Sequence, residues 1–483
     1  MSRILFLNPN KWGRGITSLW IPSHAGILNK HHHQVKLFDA SFYKDWSVNE
    51  VQIQTQNQNY KKSDYDSSIK YNTRNIKEDL QKQIDNFKPH IIFWSAISSH
   101  IHGEGEYVNI QNGYDLLSKL KTYDAKKITG GLQATSAAKI ILNKMPNIDY
   151  LIRGESELLL LEIARKIDFK ESFEDLNGIA FIKDGNYREN SKQEILSDLD
   201  KLTPYNYDLF EDKVFLRPYN GKIVRAVDYE LSRGCIYSCN YCVETIIQKY
   251  YGFEEFSEKT GAISNFKKYI RNKSAKNIFR ELSYLNNEKK IELFRCQDTN
   301  FLTNDRQVLL ELADLIDKSN LEIKLYIETR PEGINEKSID LLKKLKVDGV
   351  GMGVELADEK FRMSELNRFA DQKRTIEAFN LLKKHNIKRT AYNIIGLPRQ
   401  DEKSIINTIE FNKILNPDNI TVAFYSPYYG TKSQIQGNEL GIFDDYEFDV
   451  DSALRSKSKD TLLPVKKLKF YKENFVRLVR SDF

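Results

Sequence analysis

The first 170 residues alternate between short apolar runs and amphipathic stretches of helical period. The apolar runs predict strands at residues 3–7, 33–40, 91–94, 127–129 and 147–152. Helices are predicted between them, because apolar positions recur there every three or four residues. Strands that alternate with helices at this spacing predict a doubly wound, Rossmann-like parallel sheet. The polar stretch 47–75, rich in Gln, Asn, Lys and Tyr, predicts a surface insertion of low order.

The pattern then becomes a repeat of six strand–helix units. Residues 171–225 are predicted to be a connector, and the Asp184-Gly185 pair inside it marks the turn of a hairpin. From 226 to 430 each apolar strand is followed by a helical pattern, which predicts a partial parallel (β/α)6 barrel. Residues 431–483 are predicted to form a basic, helical C-terminal extension. The predicted fold class is therefore α/β, with the doubly wound sheet at 1–170.

Composition narrows the class of protein further. Of the 483 residues, 40% are apolar and 29% are charged, as in ordinary globular chains. No apolar run reaches the roughly 18 residues that a bilayer requires, and the N-terminus reads as a buried strand rather than a signal peptide. Four cysteines do not make a disulfide framework, which predicts a cytoplasmic protein.

Charge is concentrated at the C-terminal end. The whole chain carries a net charge of +6, yet between residues 455 and 480 nine Lys or Arg stand against two acids. We interpret this tail as an amphipathic helix with one packed and one solvated face, rather than as an anion-binding or membrane-surface element. The chain shows no clear nucleic-acid-binding signal.

Three cysteines in eight residues give the strongest chemical signal. Cys235, Cys239 and Cys242 have the spacing CxxxCxxC, and Tyr241 precedes the last of them. Three thiolates on one loop can hold three irons of a four-iron cluster and leave the fourth iron open. A structural zinc ion would need a fourth Cys or His nearby, and none follows within about forty residues. The motif resembles that of the radical S-adenosylmethionine (SAM) superfamily, which implies a 4Fe-4S cluster, SAM and an electron donor of the flavodoxin or ferredoxin type.

This resemblance implies SAM contacts at the carboxyl ends of the barrel strands. The SAM amine needs acceptors, which we expect from Gln297, Asp298 and Asn300. Glu328 and Glu355 are candidates for stabilising the cationic sulfonium. Glu355 is also the candidate acceptor for the ribose hydroxyls.

Further candidates come from the same strand ends. Arg368 is expected to pair with the methionine carboxylate of SAM, and Tyr241 to flank the adenine. Either Tyr392 or Asn393 is expected to face the cavity, because a slip of one residue in register exchanges them. We interpret the fourth cysteine, Cys296, as a small buried hydrophobe, with a thiol that contacts the substrate as the alternative.

Two further motifs match the subgroup of the superfamily that carries an N-terminal cobalamin-binding domain. They are Gly351-x-Gly353-Val354-Glu355 and Ile394-Ile395-Gly396-Leu397-Pro398. Residues 1–170 in turn resemble that cobalamin-binding domain through Gly130-Gly131 and the run Asp149-Tyr150-Leu151-Ile152-Arg153-Gly154-Glu155. Ligands of such sheets bind beyond the carboxyl ends of the strands. The expected cobalamin contacts are therefore Asn8, Ser95, Gly130, Gly131, Gly154 and Glu155.

One departure from that pattern concerns the cobalt ligand. Cobalamin domains that bind cobalt through histidine use DxHxxG after the first strand, whereas this chain has Asn8-x-Asn10-x-x-Gly13. The amide of Asn10 is a poor cobalt ligand because its nitrogen has no free lone pair. No protein imidazole is therefore expected on cobalt from this position.

The histidines supply weaker candidates. His100 and His102 follow the third predicted strand and are candidates for a ligand contact. His24 is expected to be a satisfied core histidine, and His31-His32-His33 a solvated turn.

These patterns predict a radical SAM enzyme that uses cobalamin and methylates an unactivated carbon of a small-molecule substrate. The alternative is a radical rearrangement, dehydration or cyclisation without methylation. A tRNA-modifying methylthiotransferase would need further cluster cysteines, and none precedes Cys235. A non-enzymatic metal-binding module is the last alternative. Aromatic residues and lysines in 243–275 and 426–483 suit a polar, anionic small molecule, and they equally suit a solvated surface.

Overall fold

The chain is built around two largely parallel sheets. The computed structural model describes residues 1–58, 60–96, 109–425, 427–442 and 461–481. The N-terminal sheet has the strand order β2-β1-β3-β4-β5-β6-β7. Its strands are β1 (Arg3–Asn8), β2 (Gln34–Asp39), β3 (Ile91–Ala96), β4 (Lys126–Gly131), β5 (Tyr150–Ile152), β6 (Ile179–Lys183) and β7 (Asn186–Glu189). The first five are parallel, as the sequence predicts.

Helices cover both faces of this sheet. They are α1 (Trp20–Lys30), α2 (Glu50–Gln56), α3 (Tyr65–Ser68), α4 (Ile76–Phe87), α5 (Ile110–Leu117), α6 (Leu132–Lys144) and α7 (Glu157–Asp168). Ile4 and Phe6 pack into the cluster that contains α1 and α7, whereas Leu5 and Leu7 pack into the one that contains α4 and α6. A strand buried on both faces reads as a continuous apolar run, which is why β1 is visible in the sequence.

The predicted hairpin is present, but it belongs to the N-terminal sheet. Asp184 and Gly185 connect β6 to β7 with φ of 51° and 74°, the two left-handed residues that a type I′ turn requires. β6 pairs antiparallel with β5, so the hairpin extends the sheet by two strands. The N-terminal sheet therefore runs beyond residue 170, into the segment predicted as a connector.

The second sheet has the order β16-β15-β14-β13-β12-β9-β8. Its strands are β8 (Leu216–Tyr219), β9 (Lys222–Tyr229), β12 (Leu293–Cys296), β13 (Lys324–Thr329), β14 (Val347–Glu355), β15 (Lys388–Ile395) and β16 (Asn419–Phe424), and a small pair is formed by β10 (Ser232–Arg233) and β11 (Arg271–Asn272). β8 is antiparallel to β9, and the other six strands are parallel. This is the predicted six-unit partial barrel.

The helices of the second half follow the strands in turn. They are α8 (Glu244–Tyr251), α9 (Phe266–Tyr269), α10 (Ala275–Lys289), α11 (Arg306–Asp317), α12 (Glu336–Lys344), α13 (Glu359–Ser364), α14 (Gln372–Lys384), α15 (Glu402–Leu415), α16 (Lys432–Glu439) and α17 (Val465–Arg480). Short 3-10 turns lie at Leu199–Leu202, Asp212–Phe215, Phe301–Thr303 and Pro331–Gly333. No helix in the described part of the chain is long and apolar enough to cross a bilayer.

The polar stretch 47–75 is not the low-order insertion that its composition predicts. It contains α2 and α3, and it buries Val51, Tyr65 and Ile69 in the hydrophobic cores. Glu50 forms a buried ion pair with Arg14 at 3.1 Å. The prediction was wrong because a few apolar residues, spaced among many polar ones, carry the packing.

Buried polar contacts join the N-terminal domain to the barrel. The carboxylate of Asp228, on β9, lies 2.6 Å from Arg217 Nη2 and accepts hydrogen bonds from the backbone and side chain of Thr17. Gln297 donates to the other Asp228 oxygen at 2.9 Å. A single buried carboxylate thus fixes the loop after β1 against two barrel strands.

The C-terminal helix behaves as predicted. α17 packs Leu468, Phe475 and Val479 against Ile420 and Val422 of β16, while most of its lysines and arginines lie on the exposed side. Over residues 465–480 this confirms the interpretation of the basic tail as an amphipathic helix with one packed face.

Candidate active site

A cavity opens at the carboxyl edge of the barrel strands. Its described lining comes from the cysteine loop, which we define as residues 235–242, and from the ends of the strands. The lining residues are Cys235, Tyr237, Cys239, Tyr241, Cys242, Val243, Thr299, Asn300, Glu328, Thr329, Arg330, Gly351, Gly353, Glu355, Arg368, Tyr392, Asn393, Ile394, Thr421, Ala423, Phe424, Tyr425 and Tyr428. Parallel barrels carry their chemistry at this edge.

The three loop cysteines all face this cavity, and neighbouring segments hold the loop in place. Asn367 Nδ2 donates to the Ser238 carbonyl at 2.8 Å, and Asn240 Nδ2 donates to the Glu365 carbonyl at 2.9 Å. Gly234 adopts a φ of 97°, and a Cβ there would lie 2.6 Å from the Tyr269 carbonyl. Gly234 is therefore required for the chain to enter the loop.

The three loop cysteines are suited to holding a thiolate-bound cluster. Among the described residues, no three Cys, His, Asp or Glu side chains converge closely enough to hold one metal ion. Three cysteines of a 4Fe-4S cluster bind three different irons and need no common centre. Burial raises the pKa of Cys235 to about 12 and raises that of Cys242 as well. Iron must therefore replace protons when it binds.

Cys296 lies away from this group. It is buried in the main hydrophobic core beside Phe294, and it is not among the described residues that line the cavity. Its placement agrees with the interpretation as a small buried hydrophobe.

Glu355 is held in the cavity by an unusual backbone. Its φ is +60°, and the β14–β15 register shifts between Gly353 and Glu355. Tyr241 donates its hydroxyl hydrogen to Glu355 Oε1 at 2.9 Å, and Arg368 Nη1 lies 3.7 Å from the same oxygen. Burial and then the Glu355 charge raise the pKa of Tyr241 well above its usual value, which keeps Tyr241 a neutral donor. Left-handed backbone at a non-glycine residue is typical of functional positions.

The structure also settles the register of β15. Both Tyr392 and Asn393 touch the cavity, but the Asn393 side chain turns outward and accepts a hydrogen bond from Asn412 at 2.8 Å. Tyr392 points inward and donates to Glu328 at 3.0 Å. A Cβ at Gly351 would lie 2.6 Å from the Tyr392 ring, so this glycine makes the space for Tyr392.

Two of the predicted SAM acceptors are engaged elsewhere. Gln297 bonds to Asp228, and the Asp298 carboxylate accepts hydrogen bonds from Leu231 N at 3.1 Å and Ser232 Oγ at 2.5 Å. Neither is among the described lining residues of the cavity, whereas Asn300 is. Asp298 therefore holds the strand that leads into the cysteine loop.

Arg330 is a cavity residue that sequence reasoning missed. Its guanidinium stacks over Tyr237 at 3.7 Å, and Nη2 pairs with Glu332 at 2.6 Å. Nη1 is buried and has no hydrogen-bond partner among the described residues. Because Arg330 directly follows β13, the rule that selected Glu328 at the same strand end would have found it too.

The candidates Asn8, Ser95, Gly130 and Gly131 lie at the ends of strands in the N-terminal sheet, as predicted. Asn8 donates to Asp39 at 3.1 Å, and its buried Oδ1 has no partner among the described residues. Ser95 and Gly130 pair at the ends of β3 and β4, and Gly131, with φ of 88°, precedes α6. A buried acceptor without a partner fits an amide-rich ligand such as cobalamin.

Gly154 and Glu155 instead face the barrel domain. A Cβ at Gly154 would lie 2.5 Å from the Tyr251 hydroxyl. Both Glu155 oxygens accept hydrogen bonds from Arg271 Nη1, at 2.8 and 2.9 Å. This segment therefore joins the N-terminal sheet to β11, beside the cysteine loop.

Of the remaining polar candidates, Asn10 lies in a loop and His24 lies in the core. The amide nitrogen of Asn10 donates to Ser41 Oγ at 2.7 Å and to the Arg14 carbonyl at 2.9 Å. His24 is buried and bonded to Ser156 Oγ at 2.8 Å, as expected of a core histidine. His100 and His102 lie outside the described residues.

Comparisons with known proteins agree with this geometry. Residues 229–411 match the family model of the Radical SAM superfamily. The anaerobic magnesium-protoporphyrin IX monomethyl ester cyclase of Rubrivivax gelatinosus is 24% identical over 92% of this chain and 71% of its own length. An uncharacterized methyltransferase of Pyrococcus horikoshii is 22% identical over 84% of this chain and 80% of its own length.

Solved structures show the same fold at low sequence identity. The radical SAM methyltransferase TsrM from Kitasatospora setae, with tryptophan substrate and a SAM analog bound, has a TM-score of 0.65 and 14% identity, covering 92% of this chain and 77% of its own. The cobalamin-dependent SAM radical enzyme OxsB, with aqua-cobalamin and SAM bound, has a TM-score of 0.59 and 14% identity, covering 97% of this chain and 57% of its own. The chain therefore carries a domain of the Radical SAM superfamily, which implies a 4Fe-4S cluster and SAM, and it has the overall fold of cobalamin-dependent enzymes of that superfamily.

Proposed function

We propose that this protein is a cobalamin-dependent radical SAM methyltransferase that acts on an unactivated carbon of a small molecule. The observation that supports this proposal is that the three loop cysteines line the same cavity as Glu355, Arg368, Glu328 and Arg330. Thiols for a cluster, carboxylates for a cation and guanidinium groups for a carboxylate are the donor set that a cluster with bound SAM needs. When bound, these cofactors supply a 5′-deoxyadenosyl radical for hydrogen abstraction, and cobalamin supplies the methyl group.

We assign each of these cavity residues to one part of SAM or to the cluster. The loop cysteines would hold the cluster. Glu355 would accept from the ribose hydroxyls and Tyr241 would flank the adenine. Arg368 would pair with the methionine carboxylate, and Glu328 would lie beside the sulfonium. Gln297 and Asp298, predicted as amine acceptors, are bonded elsewhere, so Asn300 is the better candidate.

Cobalamin would lie at the carboxyl edge of the N-terminal sheet, next to the cysteine loop. Val243 and Ile246, just after the loop, pack in one hydrophobic cluster with Leu132 and Ala134 of α6. The proposed contacts are Asn8, Ser95, Gly130 and Gly131. Gly154 and Glu155, also predicted from the sequence, face the barrel domain and are engaged by Tyr251 and Arg271. The amide nitrogen of Asn10 is bonded to the Arg14 carbonyl and to Ser41 Oγ, which supports cobalamin bound without a protein ligand from this position.

The reaction also needs an external electron donor, for which we propose a flavodoxin- or ferredoxin-like protein. We place the enzyme in the cytoplasm, since all four cysteines are free thiols and such thiols persist in a reducing compartment. A polar, anionic small molecule remains the proposed substrate class.

A second candidate is a radical cyclisation without methyl transfer. It is favoured by the similarity to the cyclase of Rubrivivax gelatinosus, which extends over 92% of this chain. The cofactors and the cavity residues would be the same, so the two candidates differ in products rather than in site.

Product analysis separates them. The protein would be reconstituted anaerobically with iron, sulfide and cobalamin, then incubated with SAM, reductant and a metabolite extract from cells that lack the gene. Methylation predicts 5′-deoxyadenosine and S-adenosylhomocysteine together, with a labelled methyl group from SAM in the product. Deoxyadenosine without S-adenosylhomocysteine would favour cyclisation, and the absence of both with a loaded cluster would contradict the radical mechanism.

A further inference from the structure

The helix that follows the cysteine loop carries a buried carboxylate that the proposed function does not use. Glu244 is the first residue of α8 and is 9% exposed. Its Oε1 accepts the backbone N–H of Cys235 at 3.1 Å and the hydroxyl of Tyr269 at 2.7 Å. Because Cys242 lies two positions before Glu244, these bonds connect the two ends of the cysteine loop.

Gln248, one turn later on the same helix face, holds the loop by neutral contacts. Its Nε2 donates to the carbonyls of Cys235 and Tyr237, each at 3.0 Å. The two side chains are four residues apart and therefore neighbours on the helix surface. Together they bind the N–H of Cys235 and two carbonyls of the loop.

The hydrogen bonds alone do not explain why residue 244 is a glutamate rather than a glutamine. A glutamine carbonyl has the same length and would accept the same two hydrogen bonds. A buried carboxylate costs more to desolvate than an amide. The nearby cation, Arg271, spends its strongest contacts on Glu155, at 2.8 and 2.9 Å. The extra negative charge therefore needs a reason other than loop geometry.

The Glu244 carboxylate lies directly against the cysteine loop. Its Oε1 is 3.1 Å from the backbone nitrogen of Cys235, and the side chain is buried, so little solvent screens its charge from a cluster bound there. The same negative charge opposes the addition of an electron to a cluster bound there. The potentials of iron–sulfur clusters respond to net charge, hydrogen bonding and exposure around the sulfurs.

We propose that Glu244 is a positioning residue of the cysteine loop whose negative charge also holds the cluster at a low reduction potential. The inference rests on the proposed function, since it requires that the loop bind a cluster. In the step concerned, the oxidised cluster gains one electron from the external reductant, and no bond is formed or broken. A lower potential makes the reduced cluster a stronger donor toward SAM.

The test is the Glu244→Gln variant of the full chain, reconstituted with iron and sulfide. Iron and sulfide content measures loading, and a redox titration followed by electron paramagnetic resonance measures the potential. Loading should match the unsubstituted protein. The ratio of reduced to oxidised cluster at a fixed potential should rise at least tenfold, an upward shift of about 59 mV for a one-electron couple.

Tyr269→Phe is the matched control, because it removes one hydrogen bond to Glu244 and keeps the carboxylate. It should shift the potential far less than Glu244→Gln does. An equal shift in both variants would overturn the proposal, as would an unchanged potential in a fully loaded Glu244→Gln protein.

A second pair of variants covers the case in which Glu244→Gln does not load. The side chains of the Glu244→Asp and Glu244→Asn variants have the same length and differ in charge. At a fixed potential, the ratio of reduced to oxidised cluster should then be at least tenfold higher in Glu244→Asn than in Glu244→Asp. If neither of them loads, or if both load with the same potential, Glu244 serves the loop geometry alone and the electrostatic role is refuted. Failure of the unsubstituted protein to bind a cluster would refute the proposed function instead.

Discussion

Replacing Glu355 by alanine is the most direct test of how the cavity binds SAM. The carboxylate is buried at the end of β14, where Tyr241 donates to it at 2.9 Å and Arg368 lies 3.7 Å away. Glu355→Ala removes the acceptor that we assign to the ribose hydroxyls. It also removes the acceptor of Tyr241, but it leaves the three loop cysteines in place. We therefore expect weaker SAM binding with unchanged iron content.

The expected size follows from the contacts. A hydrogen bond to a charged acceptor contributes about 1.5–3 kcal/mol, which corresponds to about a tenfold to a hundredfold loss of affinity. The left-handed backbone at residue 355 has a second effect, on the stability of the variants, which can be measured separately from SAM binding. With φ at +60°, a Cβ costs roughly 1–2 kcal/mol that glycine does not incur. Glu355→Gly should therefore be more stable than Glu355→Ala, while both lose the same SAM contact.

The assay is a SAM titration of each reconstituted variant, run beside iron and sulfide analysis and a thermal unfolding scan. Unchanged SAM affinity in Glu355→Ala would remove this residue from the SAM site. Loss of the cluster would show that its role is structural. Equal unfolding midpoints for the alanine and glycine variants would refute the assignment of backbone strain to this position.

Three further predictions follow from the structure. Alanine at all three loop cysteines should abolish cluster loading, whereas Cys296→Ala should keep the cluster and lower only stability; near-full iron in the triple variant would contradict the ligand assignment. The Co(II) form of bound cobalamin should show no nitrogen splitting from a protein histidine in its electron paramagnetic resonance spectrum, because the position of the ligand histidine is occupied by Asn10, whose amide is bonded to Arg14 and Ser41. Such splitting would refute that part of the proposal, and no cobalamin binding would refute the rest. Gly351→Ala should destabilise the barrel by about 1–3 kcal/mol, since its Cβ would lie 2.6 Å from the Tyr392 ring; the combined variant with Tyr392→Ala should recover part of that loss in a denaturation curve, and no recovery would show that another contact is responsible.

The sequence revealed the fold where local pattern and burial agree. β1 is buried on both faces, with Ile4 and Leu5 in different core clusters, so its apolar run is unbroken. The barrel strands could be predicted for the same reason, and their carboxyl ends indicated Glu328 and Glu355 as site candidates without knowledge of the three-dimensional structure. The three cysteines of the loop could be proposed as cluster ligands from their spacing alone, because residues this close in sequence must also lie close together in space.

The failures have a different physical origin. Residues 47–75 are mostly polar, and composition cannot show that Val51 and Tyr65 reach the core or that Glu50 pairs with Arg14. Position at a strand end likewise does not tell whether a polar side chain points into the cavity. Asp298 follows β12 as Glu328 lies at the end of β13, yet Asp298 binds Ser232 at 2.5 Å while Glu328 lines the cavity.

The contacts least accessible to sequence reasoning are those that set the two domains against each other. Arg233, two residues before the first cysteine of the loop, pairs with Glu157 at 2.6 Å and with Glu230 at 2.8 Å. Glu157 lies 76 positions away in the chain and is separated from Arg233 by a hairpin and a connector. Breaking a buried ion pair leaves an uncompensated charge, which costs about 3–5 kcal/mol. The cysteine loop is therefore held by the N-terminal domain as well as by its own barrel.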